Sequence, residues 1–226
     1  VQDIETPETS VTGDHAKGDP VDKLRDAIMS GAFLPNQRLI EVELIDFLAT
    51  SRTKVRMALA RLEQEGLVII EPNRGGRVRP VSDKEALEIT QARRVLEGLV
   101  AREAAAKIDE AGRQSLRKIV AEMDELFSRG DIIGYSTTSG LLHAEIQRLS
   151  GHTTAARILQ NLHSQIIRFQ YRTVLMAGRA AQALQEHKDV AEAVCSGDGD
   201  RAEKIMREHL QAVELALKKT IQKTRG

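Results

Sequence analysis

The amino-acid sequence predicts a mainly α protein, with an N-terminal winged helix-turn-helix followed by a C-terminal antiparallel all-α bundle of six to seven helices. Three observations predict it. Between residues 20 and 80, short amphipathic segments alternate with turn residues and end in a glycine hairpin. Beyond Pro80-Val81-Ser82 the helical period dominates to the C-terminus. That second part carries no strand pattern and no internal repeat. The expected division is a polar tail over 1–19, a winged helix-turn-helix over 20–80 and a helical domain over 81–226, within a chain of 226 residues.

Each element follows from local chemistry. Residues 1–19 are polar and lack periodic hydrophobics, so they are expected to be disordered and do not read as a signal peptide. Val21, Leu24 and Ile28 predict a short amphipathic helix ended by Gly31. Leu34-Pro35-Asn36 is a turn, and Leu44, Ile45 and Leu48 mark a second short helix. Ser51 is a good N-cap for a third helix running to about Glu65, with Gly66 as terminator. Leu67-Val68-Ile69-Ile70 is short and β-branched, hence a strand. Asn73-Arg74-Gly75-Gly76 is a hairpin turn, and Arg77-Val78-Arg79 returns as a second strand. Six helices are then expected over 83–107, 110–129, 131–150, 152–177, 179–196 and 198–222, separated by breaks near Gly112, Gly130, Gly151, Gly178 and Gly197-Asp198-Gly199.

Composition narrows the function. Hydrophobic residues make up 41 % and charged residues 29 %, ordinary for a soluble globular protein. No apolar run is long enough to span a membrane. The single Cys195 allows no internal disulfide, so a cytoplasmic setting is expected. Aromatics are only 3 % and Trp is absent, which argues against single-strand binding by aromatic stacking. Net charge is zero, yet Ser51 to Arg61 holds four cations (Arg52, Lys54, Arg56, Arg61) and no acid. A local patch in a neutral protein points to a polyanionic partner.

On a helical wheel from Arg52, Arg52, Arg56 and Thr53 fall at roughly 0°, 40° and 100°, while Val55, Ala58, Leu59 and Leu62 fall at roughly 240° to 340°. One face is apolar; the other offers two guanidiniums and a hydroxyl at the N-terminal turn. A recognition helix presents such residues to the major groove of double-stranded DNA. Arginine can bond guanine O6 and N7 together or clamp a phosphate, and the Ser51 and Thr53 hydroxyls can reach phosphate. Lys54, near 200°, suits a backbone contact. The hairpin at Glu71 to Arg79, with Arg74, Gly75, Arg77 and Arg79, makes the wing.

In the second part, three histidines lie on apolar stripes of three helices. His143 shares a face with Ile132, Ser139, Ile146 and Leu149. His187 lines up with Ala183, Leu184, Val190 and Val194, and His209 with Ile205, Met206, Val213 and Ala216. Burying a neutral imidazole without partners costs on the order of 1–3 kcal/mol. Three such rings need three separate hydrogen-bonding solutions or one shared ion. Grouped imidazoles suit Zn, Ni, Mn or Fe and leave positions open for a carboxylate.

The head resembles the N-terminal domain of GntR-family regulators. The pieces that carry the resemblance are Ser51-Arg52-Thr53, Val55-Arg56, Ala58-Leu59, Leu62, Glu65-Gly66-Leu67 and the glycine wing at Gly75. Phe47 and Asn36 are mild departures, where a small residue and a glycine are usual. The resemblance implies DNA contacts from Ser51, Arg52, Thr53, Arg56 and the wing at Arg74-Gly75. The segments TQARRVLEGLVAREAA, GLLHAEIQRLSG and LQEHKDVAEAVCSGDGDRAEKIMREHL are similar to the FCD domain, the FadR-type partner of such heads. This likeness implies a divalent metal on His143, His187 and His209 with a small carboxylate above it. The family's aspartate falls one turn before His143, where this chain has Ser139, so metal affinity is expected to be lower. Arg93 matches the family's arginine for an effector carboxylate, its alternative being a surface ion pair with Glu97. Arg168 and Arg172 are further pocket candidates, with Ser139.

The expected function is a homodimeric regulator, repressor or activator, that reads a pseudo-palindromic operator and responds to a small carboxylate. A metal-responsive regulator without an organic effector is the variant. A hydrolase using three histidines and a metal is the alternative from another class. It lacks a general base, since Glu145 and Glu186 point away from the faces of the histidines beside them.

Overall fold

The computed structural model describes residues 18–71 and 75–225, apart from the side chains of 168, 224 and 225. Residues 1–17 of the tail expected over 1–19, and Arg74 at the wing tip, lie outside these residues.

The winged part starts with α1 (Pro20–Ser30). Asp19 caps it by accepting from the Val21 amide at 2.9 Å, and Gly31 closes it in the left-handed region. Strand β1 (Arg38–Leu39) follows, then α2 (Glu41–Leu48) and α3 (Arg52–Gln64). Ser51 caps α3, its Oγ accepting from the Lys54 amide. Strands β2 (Val68–Glu71) and β3 (Gly75–Val78) complete a three-stranded antiparallel sheet in the order β1-β3-β2. The hairpin was expected; β1 was not. Arg38 pairs with Arg77 and Leu39 with Gly76, so a third strand closes the wing. Gly75 has φ +80°, and a Cβ there would stand 2.8 Å from the Leu39 carbonyl oxygen, so the tight β1–β3 approach excludes other residues. Val55, Ala58, Leu59 and Leu62 of α3 are buried with Leu24, Ile28, Leu44, Leu48, Val68 and Val78. The charged face of α3 is thereby left outward.

The helical part has α4 (Asp83–Lys107), α5 (Glu110–Ser128), α6 (Ile132–Ser150), α7 (Thr153–Val174), α8 (Arg179–Cys195) and α9 (Gly199–Arg225). Ser82, Asp109, Asp131 and His152 cap α4 to α7 in turn. Helix α4 is central, packed along α9 and against α6, α7 and α8. Val100, Ala101, Leu116, Met123, Leu142, Ile146, Leu159, Val190, Val194, Met206 and Leu210 form the core.

Arg79 joins the two parts. Its guanidinium donates to the Gly66 carbonyl at 2.7 Å, Glu85 at 2.7 Å and Gln165 Oε1 at 2.5 Å, while Gln165 Nε2 donates to the Glu65 carbonyl at 3.1 Å. Helix α7 thus touches the C-cap of α3.

Ala49, in the turn between α2 and α3, holds φ +49° without being glycine. A left-handed residue with a Cβ costs roughly 1–2 kcal/mol, and a glycine adds about 0.5–1 kcal/mol of unfolded-state entropy. Ala49→Gly is therefore expected to stabilise the winged part by about 0.5–1 kcal/mol, read as a higher urea midpoint at unchanged slope. A lower midpoint would show that the turn carries no strain.

Candidate functional site

His143 on α6, His187 on α8 and His209 on α9 meet inside the helical part. One nitrogen from each lies within 4.8 Å of the others, and all three residues are buried. Ring centroids are 4.5–5.5 Å apart.

Each Nδ1 already has a partner. His143 Nδ1 meets Glu97 Oε2, His187 Nδ1 lies 3.1 Å from the Tyr135 hydroxyl, and His209 Nδ1 lies 2.8 Å from Glu186 Oε2. The nitrogen left on every ring is Nε2. This is the arrangement in which an outer carboxylate or hydroxyl orients a metal-binding imidazole. Burial, reinforced by the neighbouring histidines and Arg179, pushes His187 and His209 well below the usual imidazole range. Neutral rings have the lone pair that a cation needs. Burial by itself would raise the Glu97 carboxyl, but Arg93 and His143 outweigh it and hold Glu97 well below the carboxylate range.

Two arginines complete the cavity. Arg93 donates to Glu97 Oε1 through Nε at 2.8 Å and Nη2 at 2.5 Å, and Arg179 Nη2 donates to Glu186 at 2.8 Å. Among the described residues, the Nη1 groups of Arg93 and Arg179 are buried and find no hydrogen-bond partner. Both arginines line one small cavity of about 60 Å³ with Tyr135, His143, His187 and His209. Buried guanidinium N–H groups without acceptors are costly, and an anion in the cavity would satisfy them. The donor set therefore fits a divalent cation on three imidazoles with an anion beside it.

The placement corrects several expectations. Arg93 is in the cavity, but its pairing with Glu97 is buried rather than on the surface. Ser139 is not part of the lining: its hydroxyl turns back and donates to the Ser136 carbonyl at 2.7 Å. Arg172 is on the other side of α7, in the cleft facing the winged part, with its guanidinium over Phe169. The Arg168 side chain lies outside the described residues. Glu186 does point away from His187, yet it reaches His209 on the next helix. Glu97, Tyr135, Arg179 and Glu186 were missed. The i,i+4 spacing of Arg93 and Glu97 and the i,i+7 spacing of Arg179 and Glu186 each mark one helical face, and could have found three of them.

At the other end, Arg52, Thr53, Lys54 and Arg56 are exposed on α3. A groove beside them is lined by Arg38, Glu41, Arg52, Arg56, Glu71 and Gly75. Glu41 Oε1 accepts from Arg56 Nε at 2.8 Å, and its other oxygen lies 3.8 Å from Arg52 Nε. Arg77 is tied to Glu71 at 2.9 Å and to Asn36 Oδ1 at 3.1 Å, so the wing's own residues hold it against the sheet. Arg38, unforeseen because β1 was, stands beside Arg77.

Residues 20–78 match the family described as bacterial regulatory proteins, gntR family, and residues 88–212 match the FCD domain. The chain belongs to the GntR family of bacterial regulatory proteins. This GntR regulator is 26 % identical over 190 residues to the HTH-type transcriptional repressor RspR of Escherichia coli, covering 84 % of this chain and 83 % of that one. It is also 26 % identical over 176 residues to the probable D-xylose utilization operon transcriptional repressor of Paenarthrobacter nicotinovorans, covering 76 % and 75 %. Among solved structures, Escherichia coli McbR/YncC superposes with a TM-score of 0.77 at 20 % identity, over 88 % of this chain and 95 % of that one. The expected winged head with a helical C-terminal domain is thereby the observed architecture, and the relatives are transcription regulators, not enzymes. Among the described residues, no helix of the GntR regulator is long and apolar enough to cross a membrane.

Removing one partner of a buried ion pair leaves an uncompensated charge. Glu97→Gln is expected to cost about 3–5 kcal/mol of stability, measured by urea unfolding. A loss under about 1 kcal/mol would show that Arg93 finds another partner and that the pair does not organise the cavity.

Proposed function

We propose that this GntR regulator binds a pseudo-palindromic operator as a homodimer and changes its affinity for that operator when a small carboxylate, anchored by a divalent metal, enters the histidine cavity. The observation that carries the ligand is the pair of unpartnered Nη1 groups on two arginines that line one cavity with three clustered imidazoles. When bound, the metal would act as a Lewis acid that anchors the carboxylate. His143, His187 and His209 would hold it through Nε2, while Glu97, Tyr135 and Glu186 keep the rings aimed. The guanidiniums of Arg93 and Arg179 bind the carboxylate oxygens. They also favour a ligand that brings its own negative charge, which weighs against a regulator that answers to metal alone.

Helix α7 offers the link to DNA. Gln170 and Thr173 line the cavity, and Gln165 on the opposite side bonds the Glu65 carbonyl and Arg79. A shift of α7 on ligand entry would therefore move the end of α3. In this reading Arg52, Thr53 and Arg56 face the major groove, Ser51 and Lys54 the phosphates, and Arg74, Gly75 and Arg77 the wing's contact. One short helix reads too few base pairs for genomic specificity, so two copies on a two-fold site are needed.

With zinc present, a panel of small carboxylates should raise the melting temperature of the native protein, since a ligand of the folded state stabilises it. His187→Ala should abolish the zinc response, and Arg179→Ala should weaken carboxylate binding by about 1.5–3 kcal/mol. Zinc stabilisation that no carboxylate enhances would favour the metal-only regulator. On operator DNA, Arg52→Ala and Arg56→Ala should each cost roughly 1–3 kcal/mol. Unchanged operator affinity in a folded Arg52→Ala protein would place the reading face elsewhere.

A further inference from the structure

The DNA-reading face carries a carboxylate among its arginines. Glu41 opens α2, where the helix N-terminus favours a negative charge, and no side chain caps that end. It is more enclosed than its partners, with a side-chain exposure of 23 % against 60 % for Arg52 and 65 % for Arg56. Its hydrogen bond with Arg56 runs through Nε, and its contact with Arg52 is also on the Nε side. Among the described residues, no hydrogen bond takes the Nη groups of either arginine.

From this geometry we propose that Glu41 is a specificity-setting residue, a positioning group that acts on DNA through Arg52 and Arg56. The inference rests on the reading that α3 faces DNA, and sharpens it. A guanidinium is planar, so holding its Nε edge sets the plane of the whole group. The Nη1–Nη2 fork of Arg56 is then left pointing outward, in the form that matches guanine O6 and N7. Charge works in the same direction. Two arginines and one carboxylate carry a net +1 instead of +2, and a phosphate approaching the groove meets Glu41 as well as the guanidiniums. Non-specific binding depends almost wholly on such phosphate attraction, whereas base reading depends on directed hydrogen bonds. Glu41 therefore lowers non-specific affinity more than specific affinity. The wing repeats the arrangement on its own element, where Glu71 holds Arg77 through Nε and Nη2.

The test uses the full-length protein and an operator selected by it from a random duplex pool. Affinity for that operator and for a scrambled duplex is measured across a salt series. Glu41→Gln is expected to bind the scrambled duplex about tenfold more tightly near 0.1 M salt and the operator no more tightly. Its log–log salt slope on scrambled DNA should steepen by about 0.9, one further phosphate contact. Glu41→Asp keeps the charge but is one methylene shorter. It should keep the native slope yet lose specificity ratio, and it serves if the Gln variant does not fold. In an Arg56→Ala background the effect of Glu41→Gln on the ratio should shrink severalfold. An unchanged specificity ratio in Glu41→Gln overturns the proposal. So does a parallel loss of both affinities in both Glu41 variants, which would make Glu41 a fold residue. If Arg52→Ala and Arg56→Ala themselves leave operator affinity unchanged, it is the placement of α3 on DNA that fails.

Discussion

The buried pair of Arg93 and Glu97 governs much of what surrounds it. Both side chains are 2 % exposed on the central helix α4, one turn apart. Two charges in that setting are costly to bury, and each further hydrogen bond they make offsets part of that cost. Glu97 spends its second oxygen on His143 Nδ1, which leaves Nε2 as the free nitrogen of that ring. Arg93, which lines the cavity, has no partner for its Nη1 among the described residues. Stability and ligand chemistry thus meet in one ion pair. The same pattern recurs at Arg179 and Glu186, whose carboxylate orients His209 while the arginine's Nη1 has no acceptor. Helices α4 and α8 thus each orient one imidazole of a neighbouring helix, and each carries one arginine whose Nη1 has no acceptor among the described residues.

The cavity and the winged part share helix α7. One side of α7 carries Gln170 and Thr173 toward the histidines; the other carries Gln165, Phe169 and Arg172 toward the winged part. Gln165 fits so closely against Gly66 that a Cβ there would stand 2.7 Å from its Nε2. A rigid helix with tight packing at one face and polar cavity groups at the other can pass a small displacement without bending. Charge on the reading head is also locally balanced, with Glu41 and Glu71 each holding arginine, which fits a chain whose net charge is zero.

Local chemistry made most of the fold readable. Gly31, Gly151 and the cap at Ser51 mark helix ends that the chain uses. The buried stripe Val55, Ala58, Leu59 and Leu62 was plain from its period. Strand β1 was not, because two residues carry no period and their pairing partner lies nearly forty residues away. The histidines were found because each sits on the apolar stripe of its own helix. Their partners were not, because periodicity gives directions within a helix and says nothing of how neighbouring helices are rotated. Glu186 was judged against His187 beside it when its partner is His209. Ser139 shares the His143 stripe, but a short hydroxyl is captured by the backbone three residues back. Arg172 fell on the face of α7 that meets the head instead of the cavity.

The central claim is that three imidazoles, each held at Nδ1, present Nε2 to one point. Long-range proton–nitrogen NMR of histidine-labelled protein, with and without zinc, tests it most directly, since tautomer and metal-bound nitrogen are assigned from the spectrum and not from coordinates. The account predicts that zinc shifts the Nε2 resonances of His143, His187 and His209 together while every Nδ1 keeps its proton. Zinc that leaves all three rings unmoved, or that binds through Nδ1 of any of them, would contradict it.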